Sequence, residues 1–384
     1  MKDASQFRLQ LVVFALVSAA FTNIYITQPV LPVLQQEFNA SSMLVSFTIS
    51  AVVLGIAISN LPFGVLADRL PIRPIIVLGS GCMLVGGLIC AVTDSLWLLI
   101  GGRFLQGLFV PALTTCIAAF LAKSLPAERL NVVMGYYVSA TVVGGLGGRL
   151  LGGWLHPPLH WRYAFVSAGV FLLLATLLAL KTLPRTPVVA PTAVKTGFVE
   201  LLRRRELVAL FLCGAGGFAI FSSVFNFLPF RLSESAFGFS TEQITLMYLV
   251  YVMGIFMGPM AGKISNRVGS GRTLLLGAGV LGVALVCLLL PFVWAVVVGL
   301  LLVCAGFFTV HAAAVGAINR KLSGGQGRAN ALYVLFYYVG GWLGITAAGF
   351  AYSHSGWTAV VIMTLCLLLL PVSAGLAEGK GRPR

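Results

Sequence analysis

Twelve nearly uncharged apolar runs, each about 20 residues long, succeed one another along this chain and leave few folds open to it. They fall at about 9–33, 43–66, 74–93, 97–121, 131–155, 162–182, 208–231, 242–262, 273–291, 294–318, 330–351 and 357–377. A helix of that length crosses a hydrocarbon core of about 30 Å at about 1.5 Å per residue. Lipid offers no partner to backbone N–H and C=O groups, so each run must bond internally, as a helix. The fold class is therefore all-α integral membrane, with twelve transmembrane helices. Only 9% of the 384 residues are charged, against about 25% in soluble domains. The first run, from Phe7 to about Val33, is too long for a cleavable signal peptide and lacks a small-residue cleavage site.

The few charges are placed unevenly. Lys and Arg number 25 and Asp and Glu 10, a formal net charge of +15. With the N-terminus inside, 21 of the 25 basic residues fall on the cytoplasmic side and two, Arg162 and Arg231, outside; Arg103 and Arg149 lie within spans. This predicts a multi-pass membrane protein with both termini cytoplasmic. The basic excess is topological, attraction to anionic membrane lipids is its side effect, and nucleic-acid binding is not expected. All seven cysteines lie in apolar runs and read as packing residues. There is no nucleotide-binding loop and no cluster of His and carboxylates, so no cofactor, no metal and no enzyme activity is expected.

A short charged turn occurs twice. Gly64-Val-Leu-Ala-Asp68-Arg69-Leu-Pro71-Ile-Arg73 follows the second span, and Gly262-Lys-Ile-Ser-Asn266-Arg267-Val-Gly269-Ser-Gly-Arg272 follows the eighth, 198 residues later. The repeat divides the chain into two six-helix bundles, 1–182 and 208–384, joined by a cytoplasmic linker, 183–207, that carries Arg203, Arg204 and Arg205. Two parallel six-helix repeats are a transporter architecture, with the solute site near the midplane.

These motifs resemble the major facilitator superfamily over essentially the whole chain, and within it the bacterial drug and metabolite efflux branch. The signature between helices 2 and 3 is matched at Gly64, Leu66, Ala67, Asp68 and Arg69; Pro71 stands where glycine is usual, Ile72 where arginine is, and Arg73 replaces lysine. Arg103, Gln106 and Gly107 match the helix 4 signature Arg-x-x-Gln-Gly. Trp161-Arg162, Tyr25-x-x-Gln28-Pro29 and Phe336-Tyr337-Tyr338-x-Gly340 resemble further family features. Helix 5 reads Gly148-Arg149-Leu-Leu-Gly152-Gly153, with arginine where the exporter signature has proline. The resemblance implies a twelve-helix secondary transporter of the bacterial inner membrane, here a monomer, working by alternating access with protons as coupling ion.

Several residues are candidates for that work. Gly144, Gly148 and Gly152 form an i, i+4, i+8 stripe, as do Gly254, Gly258 and Gly262; helix 11 adds Gly340 and Gly344. Such stripes let backbones approach closely. They are either plain packing surfaces or, since the family implies that helices 5 and 8 and helices 2 and 11 face each other, the surfaces on which the halves rock. Gly64, Asp68, Arg69 and Arg73, with Gly262, Asn266 and Arg267, form an expected cytoplasmic gate. In it Asp68 is either simply solvated or placed against the start of helix 11 near Arg328 to Asn330, where unpaired N–H groups favour a carboxylate. Pro71 cannot take the positive φ that glycine permits, so its turn must differ from the usual form.

Ionisable groups within spans are functional candidates by default. Arg103 and Arg149 either snorkel to the outer headgroups or line the substrate cavity, Arg103 sharing a face with Gln106 at i, i+3. Asn23, Tyr25, Gln28, Asn226, Tyr333 and Tyr337 are further cavity candidates, on helices that line the cavity in this family or, for the two tyrosines, on helix 11. His311 is either a structural histidine or, with Asp68, a candidate for proton coupling. None of the ten carboxylates lies in a span interior. The reading is export of a small organic solute, neutral or anionic, against protons. Uptake or facilitated diffusion is the rival within transport, and a non-transporting membrane receptor or assembly protein the rival outside it.

Overall fold

The computed structural model describes residues 2–125, 127–183, 197–322 and 324–380. They form helices almost throughout. In chain order, α1 is Lys2–Tyr25, α2 Ser42–Arg69, α3 Ile72–Val92, α4 Leu96–Leu113 with its continuation Thr115–Ser124, α5 Ala127–Leu155 and α6 Trp161–Thr182. After a short helix, Phe198–Arg203, come α7 Arg205–Ser233, α8 Thr241–Met247 continuing through a 3-10 turn into Met253–Val268, α9 Ser270–Cys287 and α10 Val293–Arg320. The helix Gln326–Leu367 is broken at Ser355 and Gly356, the latter at φ 63°. It therefore makes two spans, α11 (326–354) and α12 (357–380). Ten stretches are long and apolar enough to cross a membrane; the last of them holds both α11 and α12, and the 29-residue α5 brings the total to twelve. Of the expected linker, 183–207, residues 184–196 lie outside the described residues, and its end forms the short helix and the start of α7.

The breaks have local causes. α1 stops at Tyr25 because Pro29 and Pro32 have no N–H to carry the ladder on. The chain continues as a 3-10 turn, Gln28–Val30, and a short helix, Leu31–Glu37. The two charged turns differ as the sequence requires. Pro71 enters α3 at φ −60°, ψ 147°, while Gly269, at the matching place before α9, stands at φ 90°, ψ 159°.

The chain falls into two compact units, residues 1–39 with 47–192, and residues 40–46 with 193–384. In the first, α1 packs on α5 and on α6, α4 on α3, and α3 on α6. In the second, α7 packs on α11, α9 on α10 and α12, and α8 on α10.

The glycine stripes are used inside these units. A β-carbon on Gly144, Gly148 or Gly152 would collide with the backbone carbonyl oxygens of Ser18, Thr22 and Ile26 on α1 and the turn after it. In the second unit, a β-carbon on Gly344 would lie 2.7 Å from the α-carbon of Ala219 on α7, and Gly340 abuts Ala215. So the α5 and α11 stripes seat α1 and α7. Gly254 faces the ring of Phe308, whereas a β-carbon on Gly258 or Gly262 would meet nothing within 4 Å.

Candidate functional site

The end of α1 leaves its last carbonyls without helical donors, and a buried arginine meets them. Arg103, on α4 and 0% exposed, donates from Nη1 to the carbonyl of Asn23 at 2.6 Å and from Nη2 to that of Ile24. Its Nε donates to the Thr48 carbonyl on α2 at 3.0 Å, and Nη1 also reaches Gln106 Oε1 at 2.5 Å. Gln106 Nε2 in turn donates to Asn23 Oδ1 at 3.2 Å and to the Met83 carbonyl on α3 at 3.3 Å. The ring of Phe165 on α6 lies 5.5 Å from the guanidinium carbon. The planar fork thus joins α1, α2 and α4 where α1 breaks, a geometry a lysine cannot supply. Arg103 does not snorkel; it and Gln106 share a face and a bond.

Arg149 is equally buried and is held differently. Nε donates to Gln28 Oε1 at 2.7 Å, Nη1 to the Gly145 carbonyl at 2.8 Å, and the guanidinium carbon sits 4.0 Å above the ring of Tyr25. A cation against an aromatic face gains about 0.5–2 kcal/mol, more where water is excluded. Asn23, Tyr25, Gln28, Arg103, Gln106 and Arg149 therefore form two adjoining clusters in the first unit around the broken end of α1.

The second unit carries aromatic rings in the corresponding region. Phe218 of α7 stacks on Tyr337 of α11 at 3.9 Å between centroids, and Phe221 on Phe307 of α10 at 4.2 Å. His311 Nδ1 lies 2.9 Å from Tyr333 Oη, and its ring lies 5.4 Å from that of Tyr337. Asn226, 0% exposed, has no hydrogen-bond partner for either amide atom among the described residues, and neither does the hydroxyl of Ser223. The spacing of Phe218, Phe221 and Phe225 at i, i+3, i+7 is the sequence signal for this wall.

At the first charged turn, Asp68 pairs with Lys123 at the end of α4, 2.5 Å away, and Lys123 also donates to the Ala67 carbonyl at 3.2 Å. Arg73 Nε donates to the Leu183 carbonyl at 2.7 Å. In the other unit, Arg320 at the end of α10 donates to Ser265 Oγ at 3.1 Å and to Ser270 Oγ, so the turn with Asn266 is clamped by hydroxyls. Arg328 lies 5.5 Å from the ring of Phe198, and Asn330 Nδ2 donates to Asn319 Oδ1 at 3.0 Å. Lys321 bridges Glu206 at 3.3 Å and Glu378 at 3.0 Å. Burial pulls its ammonium down, but the bonds to Glu378 and Glu206 outweigh that and hold its pKa above the ordinary lysine value. Lys123, Lys321 and Glu378 escape a motif search because each sits at a span end far in sequence from its partner.

Sequence and structure comparisons agree with the fold. A profile of the Major Facilitator Superfamily matches residues 13–322. The inner membrane transport protein YnfM of Escherichia coli (strain K12) is 30% identical over 377 residues, 96% of this chain and 89% of that protein. The uncharacterized MFS-type transporter YybF of Bacillus subtilis (strain 168) is 26% identical over 370 residues, 94% and 91% of the two chains. Among solved structures, a bacterial homologue of the human lysosomal transporter Spinster, in an inward-facing and unoccupied conformation, matches with TM-score 0.77 and 17% identity over 99% of each chain. At that identity it speaks for the fold.

Proposed function

We infer that this chain, which belongs to the major facilitator superfamily of membrane transporters, exports a small neutral or anionic organic solute across the bacterial inner membrane in exchange for protons. It works as a monomer with both termini cytoplasmic. Bundles 1–182 and 208–384 alternate about the solute, with 183–207 as their linker.

One observation carries the choice of solute. Among the described residues, the acidic positions lie at helix ends, in a short helix or in loops: Asp3, Glu37, Asp68, Asp94, Glu128, Glu200, Glu206, Glu234, Glu242 and Glu378. The ionised side chains buried within spans are the arginines Arg103 and Arg149. A lipophilic cation would meet a positive region with no counter-charge, and desolvating it there is costly. A neutral or anionic solute meets Arg149 with Gln28 and Tyr25 on one side of the transport cycle. On the other it meets Asn226 and the rings of Tyr333, Tyr337 and His311. His311, bonded to Tyr333, and Asp68 at the gate turn are the proton carriers of this reading.

A thermal-shift screen of the purified protein against anionic, neutral and cationic solutes tests it. A ligand at 100 times its Kd stabilises by about 2.7 kcal/mol, and stabilisation is expected from neutral or anionic compounds. Stabilisation by cations alone would overturn the choice of solute. Solute flux in inverted vesicles with and without a pH gradient then decides direction and coupling.

A further inference from the structure

We propose that the first unit carries a binding site for the headgroup of an aminophospholipid in a cleft between the end of α3 and the start of α6. The proposal rests on the chain's place in a membrane and is independent of what it transports.

The cleft encloses about 470 Å³ and is lined by Ala91, His160, Arg162, Tyr163 and Val166. That is within the range of about 300–1,000 Å³ usual for small-molecule sites. Its two walls belong to helices that are firmly packed deeper in the bilayer, where Thr176 Oγ1 of α6 donates to Ser80 Oγ of α3 at 2.8 Å. It lies at the membrane face opposite the chain termini.

The lining changes character along the membrane normal. Beside the cleft, Val92 on α3 and Val166 on α6 are 76 and 46% exposed, and one turn deeper Leu88 and Val170 are 60 and 53% exposed. They continue two apolar stripes at helical spacing, the surface that acyl chains cover. Tyr163, 53% exposed, marks the interface level where tyrosine is enriched. Above it stand charges. Arg162 donates from Nη1 to Glu37 Oε1 at 2.7 Å and from Nη2 to Asp94 Oδ1 at 2.8 Å and the Thr93 carbonyl at 2.8 Å. Trp161 Nε1 also donates to Glu37, and His160 Nε2 lies 3.7 Å from it.

This charge set selects one kind of headgroup. Arg162 faces two carboxylates, so the rim carries a formal charge of −1 before His160 is counted. A purely anionic headgroup is repelled. Asp94 keeps 95% of its side chain exposed, so its second oxygen and remaining lone pairs are open to a donor. A primary ammonium beside a phosphate answers both ends of the rim: the ammonium donates to Asp94, and the phosphate accepts from Tyr163 and His160. One acyl chain then lies along Ala91 and Val166. A quaternary choline has no N–H to give Asp94 and fits less well.

Native mass spectrometry of the full chain, loaded with equal phosphatidylethanolamine, phosphatidylcholine and phosphatidylglycerol, tests this. The wild-type chain should retain phosphatidylethanolamine over phosphatidylcholine about three- to fivefold, as an exposed ion pair provides. Asp94→Asn should abolish that preference. Val166→Trp fills the cleft from a lipid-facing position, leaves the charged rim intact, and should remove the tightly held lipid altogether. Equal retention of the three lipids, a preference for phosphatidylglycerol, or a phosphatidylethanolamine preference unchanged in both variants would each overturn the site.

Discussion

Replacing Arg103 by methionine and by lysine separates two accounts of the same buried cation. If Arg103 matters as a charge, lysine should serve; if it matters as a fork that serves the broken end of α1, lysine should fail almost as badly as methionine. The structure favours the fork. Arg103 gives hydrogen bonds to the carbonyls of Asn23 and Ile24, at the last turn of α1, and to Thr48 and Gln106. The Thr48 carbonyl lies inside α2 and keeps its helical bond, so its loss is minor. The Asn23 and Ile24 carbonyls sit where the ladder stops, and each left unmet costs about 1–3 kcal/mol. The expected loss for Arg103→Met is thus roughly 2–6 kcal/mol, from which some of the cost of burying the guanidinium is returned. A lysine ammonium is a compact point charge on a flexible stem. It can reach one of the two carbonyls and still has to be desolvated. The assay is thermal unfolding in detergent, read by tryptophan fluorescence. At about 2–4 °C per kcal/mol for a unit of 150–250 residues, Arg103→Met should fall by at least about 4 °C, and Arg103→Lys by a similar amount. Arg103→Lys at the wild-type melting temperature would refute the fork account.

Two further predictions follow from the packing and the gate turn. Gly148→Ala drives a methyl group into the Thr22 backbone carbonyl and should cost at least the ~1–3 kcal/mol of core overpacking. Gly258→Ala enters open space and should leave the melting temperature unchanged; equal effects from the two would contradict the placement of the stripes. Asp68 and Lys123 form a half-exposed pair, and such pairs contribute about 0–1 kcal/mol. Both Asp68→Asn and Lys123→Gln should therefore fold normally. If Asp68 serves the gate or the proton, only the first should lose flux in vesicles, and equal loss in both would assign the role to the pair.

The spans, their number and the duplicated turn were legible in the sequence because lipid imposes a length and an apolar content that few substitutions escape. The shared face of Arg103 and Gln106 was legible too, since i, i+3 places two side chains on one side of a helix; the bond between them came from the structure. What those side chains turn toward was not. Pro29 announces that α1 must break, but which carbonyls the break exposes depends on where α4 lies. The glycine stripe on α5 announces a close backbone approach without naming the helix that approaches, and the stripe serves α1 within its own unit. Asp68 stood out in the sequence as the carboxylate of a repeated turn, while its partner Lys123 lies 55 positions away at the end of another helix. Spacing reports faces of single helices; partners between helices are set by tertiary packing.

The repeat is structural more than chemical, and the glycine seams show where the two copies part. Gly148 seats α5 against Thr22, and Gly344 seats α11 against Ala219. In the first unit the next residue is Arg149, which holds Gln28 and covers the ring of Tyr25. In the second the next residue is Ile345, and the buried amide of Asn226 on α7 has no partner among the described residues. The two charged turns divide the same way, with an ionic clamp at Asp68 and a hydroxyl clamp at Ser265. A duplicated scaffold with identical chemistry in both copies would present its solute with the same interactions from either side. Here one copy brings cations and the other neutral amide, phenol and imidazole groups. Among the described residues neither copy offers a carboxylate inside a span, so neutral or anionic compounds are what the thermal-shift screen should single out.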